Sequence, residues 1–278
     1  MQEIHPTALI SPNTKIGKNV YIGPYTVIEG NCVIEDNVTL KGHVWLDGNT
    51  TLEEGVTVWP GAVIGTKTQD LKFKGEKTFV RIGKGSEIRE YATINSSCGE
   101  GDTVEVGENC LIMAYCHVAH NCKVGNHVIM SNNATLAGHV IVEDYAIIGG
   151  LSAIHQFARV GKHAMIGGMS RITHDILPFS IGAGSPYKLG GLNLVGLKRK
   201  GFSLEQRKAL TRAFHVLMHG KGALEEMIQE IEKQEIEQEA LSEEVRELVS
   251  FCRSTQRGIC GVQAREKISE MRKMAHHS

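Results

Sequence analysis

From Ile4 the chain places an aliphatic residue or Met at every sixth position as far as Ile172, interrupted only at Asp70, Glu76 and Glu100. The residue two places earlier is usually small, as at Ala8, Thr14, Val20, Cys32, Cys110, Cys116, Cys122, Ala134 and Ser170. Two inward residues separated by one outward residue describe a short strand, because side chains alternate faces. Gly17, Gly23, Asn37, Gly48, Gly125, Gly149 and Gly161 fall between these strands. Such residues tolerate the left-handed backbone of a tight corner. A strand and a corner repeated every six residues predict a parallel β-solenoid, since a lone hexad cannot bury its aliphatic residue and stacked coils can. Three hexads make a triangular coil of eighteen residues; ten such coils at the ~4.8 Å strand spacing would stand roughly 48 Å tall.

The pattern lapses over residues 65–81 and 95–105 and resumes in phase each time. In a rigid rod an insertion that keeps phase is a loop thrown outward, and such loops often carry function. After Pro178 the hexads stop. The expected organisation is a solenoid over 1–178, a Gly-rich linking segment over 179–202, and a helical domain over 203–278. Ser203-Leu204-Glu205-Gln206 reads as a capping box. Amphipathic helices are expected near 204–219, 223–236, 242–254 and 262–274, covering open strand edges at the solenoid end. His276 and His277 read as solvated tail residues.

Net charge is −1, which argues against a generic nucleic-acid binder, since that needs a basic face. No apolar run is long enough to span a bilayer. The opening Met1–Pro6 has neither the basic start nor the apolar stretch of a secretory signal, so a cytoplasmic protein is expected. Seven Cys without a CxxC pair do not suggest a disulfide framework, and four of them occupy small inward slots as packed thiols.

Seven of the thirteen His lie between 117 and 174, and none occupies an inward slot, so they are expected to face solvent, a ligand or another subunit. Stacking at eighteen aligns Ala119, Ala137 and His155; then His120, Gly138 and Gln156; then Asn121, His139 and Phe157. His120, His139 and His155 should therefore share one corner. An imidazole titrating near neutrality suits a general base acting on an alcohol. Gly138, one coil from His120, could bring a backbone N–H to a developing oxyanion. No GxSxG, GxxxxGK[ST] or strand-linked GxGxxG occurs, so serine acyl-enzyme and nucleotide-triphosphate chemistry lack support. His117 and His120 with His139 or His155 could in principle hold zinc. Their placement on either side of a corner favours the base reading, with no metal.

The hexads resemble the left-handed parallel β-helix acyltransferases. More narrowly, Gln69-Asp70-Leu71-Lys72, His117-Val-Ala-His120, Asn132 to His139, His155-Gln-Phe157 and Gly196 to Phe202 resemble the bacterial family that acylates UDP-N-acetylglucosamine at the start of lipid A synthesis. The resemblance implies a homotrimer with sites between solenoids, acyl carrier protein and UDP-N-acetylglucosamine as partners, and no cofactor. His120 would deprotonate the glucosamine 3-hydroxyl and Gly138 would supply the oxyanion N–H. His139, His155 and Gln156 would line the cleft, and His117 would touch the acyl or sugar region. Asp70 and Lys72 would contact the sugar nucleotide. Asn193, Arg199 and Lys200 would serve its nucleotide end, and Gly168 would floor the acyl groove. Asn121, Val195 and Pro186 depart from the family: many members carry Asp at the first, an acidic residue at the second, and some a His at the third. Rival readings are an N-acyltransferase on an acylated UDP-glucosamine, a zinc carbonic anhydrase of γ type, and a non-catalytic solenoid.

Overall fold

The computed structural model describes residues 2–236 and 242–262. Strands of two to five residues wind into three sheets, of eleven, nine and eight strands among the described residues, parallel throughout except at the last strand of the first sheet. Successive coils lie in register at eighteen residues: His117 pairs with Thr135, and Thr135 with Ala153. The inward aliphatic residues, from Ile22 through Ile172, are buried in one continuous core. Cys32, Cys110, Cys116 and Cys122 lie in it as free thiols. Burial pushes Cys122 up to about 12, so these are inert packing groups.

Asn37 and Gly48 take the expected left-handed backbone, but the other corner glycines serve a different end. Gly17, Gly23, Gly125, Gly149 and Gly161, each following an inward residue, do not have positive φ. They are required because a Cβ there would strike the backbone of the next coil, as at Gly161 against Pro178. The left-handed position is the third after each inward residue, and it holds Asn19, Tyr25, His43, Tyr115, Asn121, His139, Tyr145, Phe157 and others. A non-glycine residue costs about 1–2 kcal/mol in this conformation. Stacking between coils offsets it: Tyr91 lies 5.2 Å from Tyr115, and Tyr145 lies 4.7 Å from both His127 and His163. Such pairs contribute about 0.5–1.5 kcal/mol each.

Residues 179–202 are more than a link. Ser180–Ala183 pairs parallel with Met165–Ile166, so it extends the first sheet, and then runs antiparallel to Lys188–Leu192. Helix α1 follows (Leu194–Arg199), then α2 (Leu204–His219), α3 (Leu224–Ile236) and α4 (Glu243–Arg253). The Ser203–Gln206 capping box is formed in both directions. Leu177 and Phe179 at the solenoid end share a second core with Leu210, Phe214, Val245 and Leu248 of the helices. Buried Asp175 clamps the join, accepting from Arg159 N at 2.9 Å, Arg159 Nε at 3.3 Å and Thr255 Oγ1 at 2.8 Å. The helix expected over 262–274, apart from Val262, lies outside the described residues, as do His276 and His277.

Candidate active site

The edge between the second and third sheets carries His120, Asn121, Gly138, His139, Gln156 and Phe157, each just beyond a second-sheet strand. Both hexad breaks open on this same edge. Residues 67–78 join Val63–Thr66 of the second sheet to Phe79–Ile82 of the third, and residues 96–102 join Thr93–Asn95 to Thr103–Val106. The loops fold onto the histidines. Asp70 of the first loop brings Oδ2 to 3.6 Å from His120 Nε2. On the second loop, the Cys98 N–H donates to Asn121 Oδ1 at 3.1 Å.

His120 is largely enclosed, with 11% of its side chain exposed. Its Nδ1 lies 3.0 Å from Asn121 Oδ1. Its ring meets the His139 ring edge-on at 5.2 Å, and His139 stacks on Phe157 at 4.6 Å. Gly138 is buried against the His120 imidazole, and a Cβ there would collide with Nε2 and Cε1. The Gly138 N–H donates to no group among the described residues. A buried unpaired donor is uncommon, and this one adjoins the His120 imidazole.

His117 projects outward from the second sheet and shares a 2.7 Å hydrogen bond with Thr93 Oγ1. Burial holds the His117 and His139 imidazoles below their usual range, and the neighbouring His120 adds to the effect. A cavity of about 400 Å³ opens alongside, lined by Asn121, Lys123, His139, Ile141, Phe157 and Arg159 among others. Among the described residues, no three His, Cys, Asp or Glu side chains converge as a metal site.

The remaining expected site residues are spread over the prism. His155 occupies the His120 edge but is exposed, with Nδ1 3.0 Å from the Gln156 carbonyl and no ring contact with His120 or His139 among the described residues. Lys72 is exposed on the first loop, its N–H donating to Asp70 Oδ1 at 2.8 Å. Gly168 lies on the edge between the first and second sheets, stacked over Gly150. Leu151 and Met169 stand beside this glycine column, 62% and 72% exposed. Asn193 caps α1 through Gly196 N and donates to the His163 carbonyl. Lys200 sits 4.8 Å over the Tyr145 ring, on the third edge, and Arg199 is exposed nearby. One chain thus holds His120, the Gly150–Gly168 column and the cationic end of α1 on three different edges.

One expectation fails: His163 does not face out. It is 9% exposed, stacked between Tyr145 and Phe179 with Phe202 against its edge. Phe179 and Phe202 of the linking segment fold over that corner and cover it. Sequence reading also passed over Thr93, Cys98 and Asp102. Part of their signal was available. Both breaks follow a second-sheet slot, Ile64 and Ile94, so assigning hexads to sheets would have put both loops on the His120 edge.

Comparison with known proteins places this geometry among relatives. Residues 175–260 match the family described as UDP-N-acetylglucosamine O-acyltransferase, domain 2. Residues 13–48 and 103–138 match the bacterial transferase hexapeptide repeat. An acyl-[acyl-carrier-protein]–UDP-N-acetylglucosamine O-acyltransferase of Chlamydia abortus is 49% identical over 271 residues, 97% of this chain and 96% of the relative. The Chlamydia trachomatis enzyme of that name is 56% identical over 203 residues, 73% of this chain and 71% of its own. Among solved structures, the UDP-N-acetylglucosamine acyltransferase of Bacteroides fragilis superposes with a TM-score of 0.88 at 38% identity, covering 92% of this chain and 99% of that one. The Arabidopsis enzyme gives 0.80 at 34% identity, with 92% and 99% covered.

Proposed function

The chain belongs to the acyl-[acyl-carrier-protein]–UDP-N-acetylglucosamine O-acyltransferase family, and on that premise we propose how its own residues carry the transfer that opens lipid A synthesis. The observation that carries the reading is the pairing of His120 with the unpaired Gly138 N–H at one loop-covered edge. His120 Nε2 takes the proton of the glucosamine 3-hydroxyl as the oxygen attacks the thioester carbonyl carbon of the acyl carrier protein. Negative charge gathers on the former carbonyl oxygen, where the Gly138 N–H meets it. Collapse breaks the carbon–sulfur bond, and the thiolate takes back the proton held on His120. Enzyme and proton count are restored, with no acyl-enzyme and no metal in the cycle.

Asp70, 3.6 Å from Nε2, aligns the sugar and favours the imidazolium formed in the step. Lys72 answers the anionic nucleotide, and His117, His139, His155 and Gln156 line the cleft. Thr135 and Ala153, outward on the second sheet, make a low floor running from the His120 edge toward Gly168 and Gly150. An acyl chain laid there would end against Leu151 and Met169. Asn193, Arg199 and Lys200 suit pyrophosphate, but their edge is not the His120 edge. Copies packed edge to edge would bring them together, and a homotrimer closes that arrangement with three equivalent sites.

The test is turnover of His120→Ala with acylated carrier protein and UDP-N-acetylglucosamine, the product read by mass spectrometry. Loss of a general base costs about 10²–10⁴ in rate. A variant that melts like wild type and still turns over normally would overturn the assignment.

A further inference from the structure

We infer that Asp102 is a positioning residue for this reaction: through the amide of Asn121 it holds His120 in the tautomer whose Nε2 carries the lone pair. The inference rests on the reading of His120 as the base.

Asn121 presents two chemically different ends. Its Oδ1 stands 3.1 Å from the Cys98 N–H and 3.0 Å from His120 Nδ1. Its Nδ2 donates to the Cys98 carbonyl at 3.1 Å and to Asp102 Oδ2 at 2.7 Å. Turning the amide over would set oxygen against a carbonyl and a carboxylate, and NH₂ against an N–H donor. Only the contact with His120 could re-form, by donation to an unprotonated Nδ1, and the three with Cys98 N–H, the Cys98 carbonyl and Asp102 would be lost, so the orientation is dictated. An amide oxygen only accepts, hence Nδ1 of His120 must carry its proton. A neutral imidazole has one N–H, which leaves Nε2 unprotonated on the side of Gly138 and Asp70.

That outcome is contested within the site. Asp70, 3.6 Å from Nε2, draws a proton to Nε2, the wrong nitrogen for a resting base. The charge-assisted bond from Asp102 strengthens the opposing choice. The residue beside His120 is the uncharged Asn121, and the carboxylate of Asp102 stands one side chain further back on the second loop. Asp102 is linked to the ring through the Asn121 amide.

The experiment measures kcat, KM and melting temperature for the full chain with acylated carrier protein and UDP-N-acetylglucosamine. It also records ¹⁵N shifts of labelled histidine, with His120 assigned by the signals lost in His120→Gln. Asp102→Ala should lower kcat roughly ten-fold with KM nearly unchanged, and move the His120 signals toward the Nε2–H form. Asp102→Asn, which still offers an oxygen to Asn121 Nδ2, should recover most of kcat. Asn121→Asp sets two carboxylates face to face and should be slow; adding Asp102→Asn to it should restore activity. Unchanged kcat in Asp102→Ala, a fall in kcat without a tautomer shift, or no rescue of Asn121→Asp would each overturn the inference. Normal turnover by His120→Gln would instead remove the base reading, while leaving the tautomer measurement to stand or fall separately.

Discussion

Gly138 shows how much one absent side chain decides. Its backbone lies so close beneath His120 that a methyl group has no room except by moving the imidazole. Gly138→Ala should therefore reduce kcat by about 10²–10³, the order seen when an oriented catalytic group is displaced, with the melting temperature little changed. Steady-state kinetics beside a thermal melt checks this. His163 makes the opposite case, a titratable ring buried for packing. Burial, with Lys162 and Lys200 nearby, lowers it from 6.5 to about 4. Between those two pH values the unfolded chain binds a proton at His163 and the folded chain does not, so stability is full above 6.5 and falls as pH drops toward 4. The loss should reach on the order of 2–3 kcal/mol. His163→Phe, which keeps a ring in the stack, should flatten that part of the profile in denaturant melts between pH 7 and 4.

At the scale of the element, the corner is the unit that matters. Most corners turn on a left-handed residue, and at Tyr91, Tyr115, His127, Tyr145 and His163 stacked rings make that conformation tolerable without glycine. The same corner geometry aims Asn121, His139 and Phe157 outward in a column. Glycine directly after the inward residue serves a different end, letting coils approach without a Cβ between them. The helices obey local rules more simply. Ser203 accepts from Gln206 N, and Gln206 Oε1 accepts from Ser203 N. Ser203→Ala should cost about 1 kcal/mol of stability, read from the midpoint of urea unfolding, with kcat unaffected.

Across the whole molecule, a left-handed parallel β-helix is closed at one end by helices. The two cores meet at Asp175, which is 1% exposed and bonded from both sides. Asp175→Ala would leave the Arg159 guanidinium, 20% exposed, without its carboxylate. Removing one partner of a buried pair typically costs about 3–5 kcal/mol. The expected result is early release of the helices, seen as proteolytic cleavage between the solenoid and α2 at temperatures where the solenoid survives. No helix among the described residues is long and apolar enough to cross a membrane.

The six-residue period, the eighteen-residue coil and the His120–Gly138–Gln156 column were all legible along the chain, because a solenoid converts sequence distance directly into spatial distance. Three further facts are non-local, and no period carries them. Asp70 and Asp102 reach His120 and Asn121 through loops whose paths depend on the contacts they make at the edge. His163 is buried only because later segments fold back over its corner. His120, the Gly150–Gly168 column and the cationic end of α1 fall on separate edges because a triangular coil has three, and one chain alone does not bring them together.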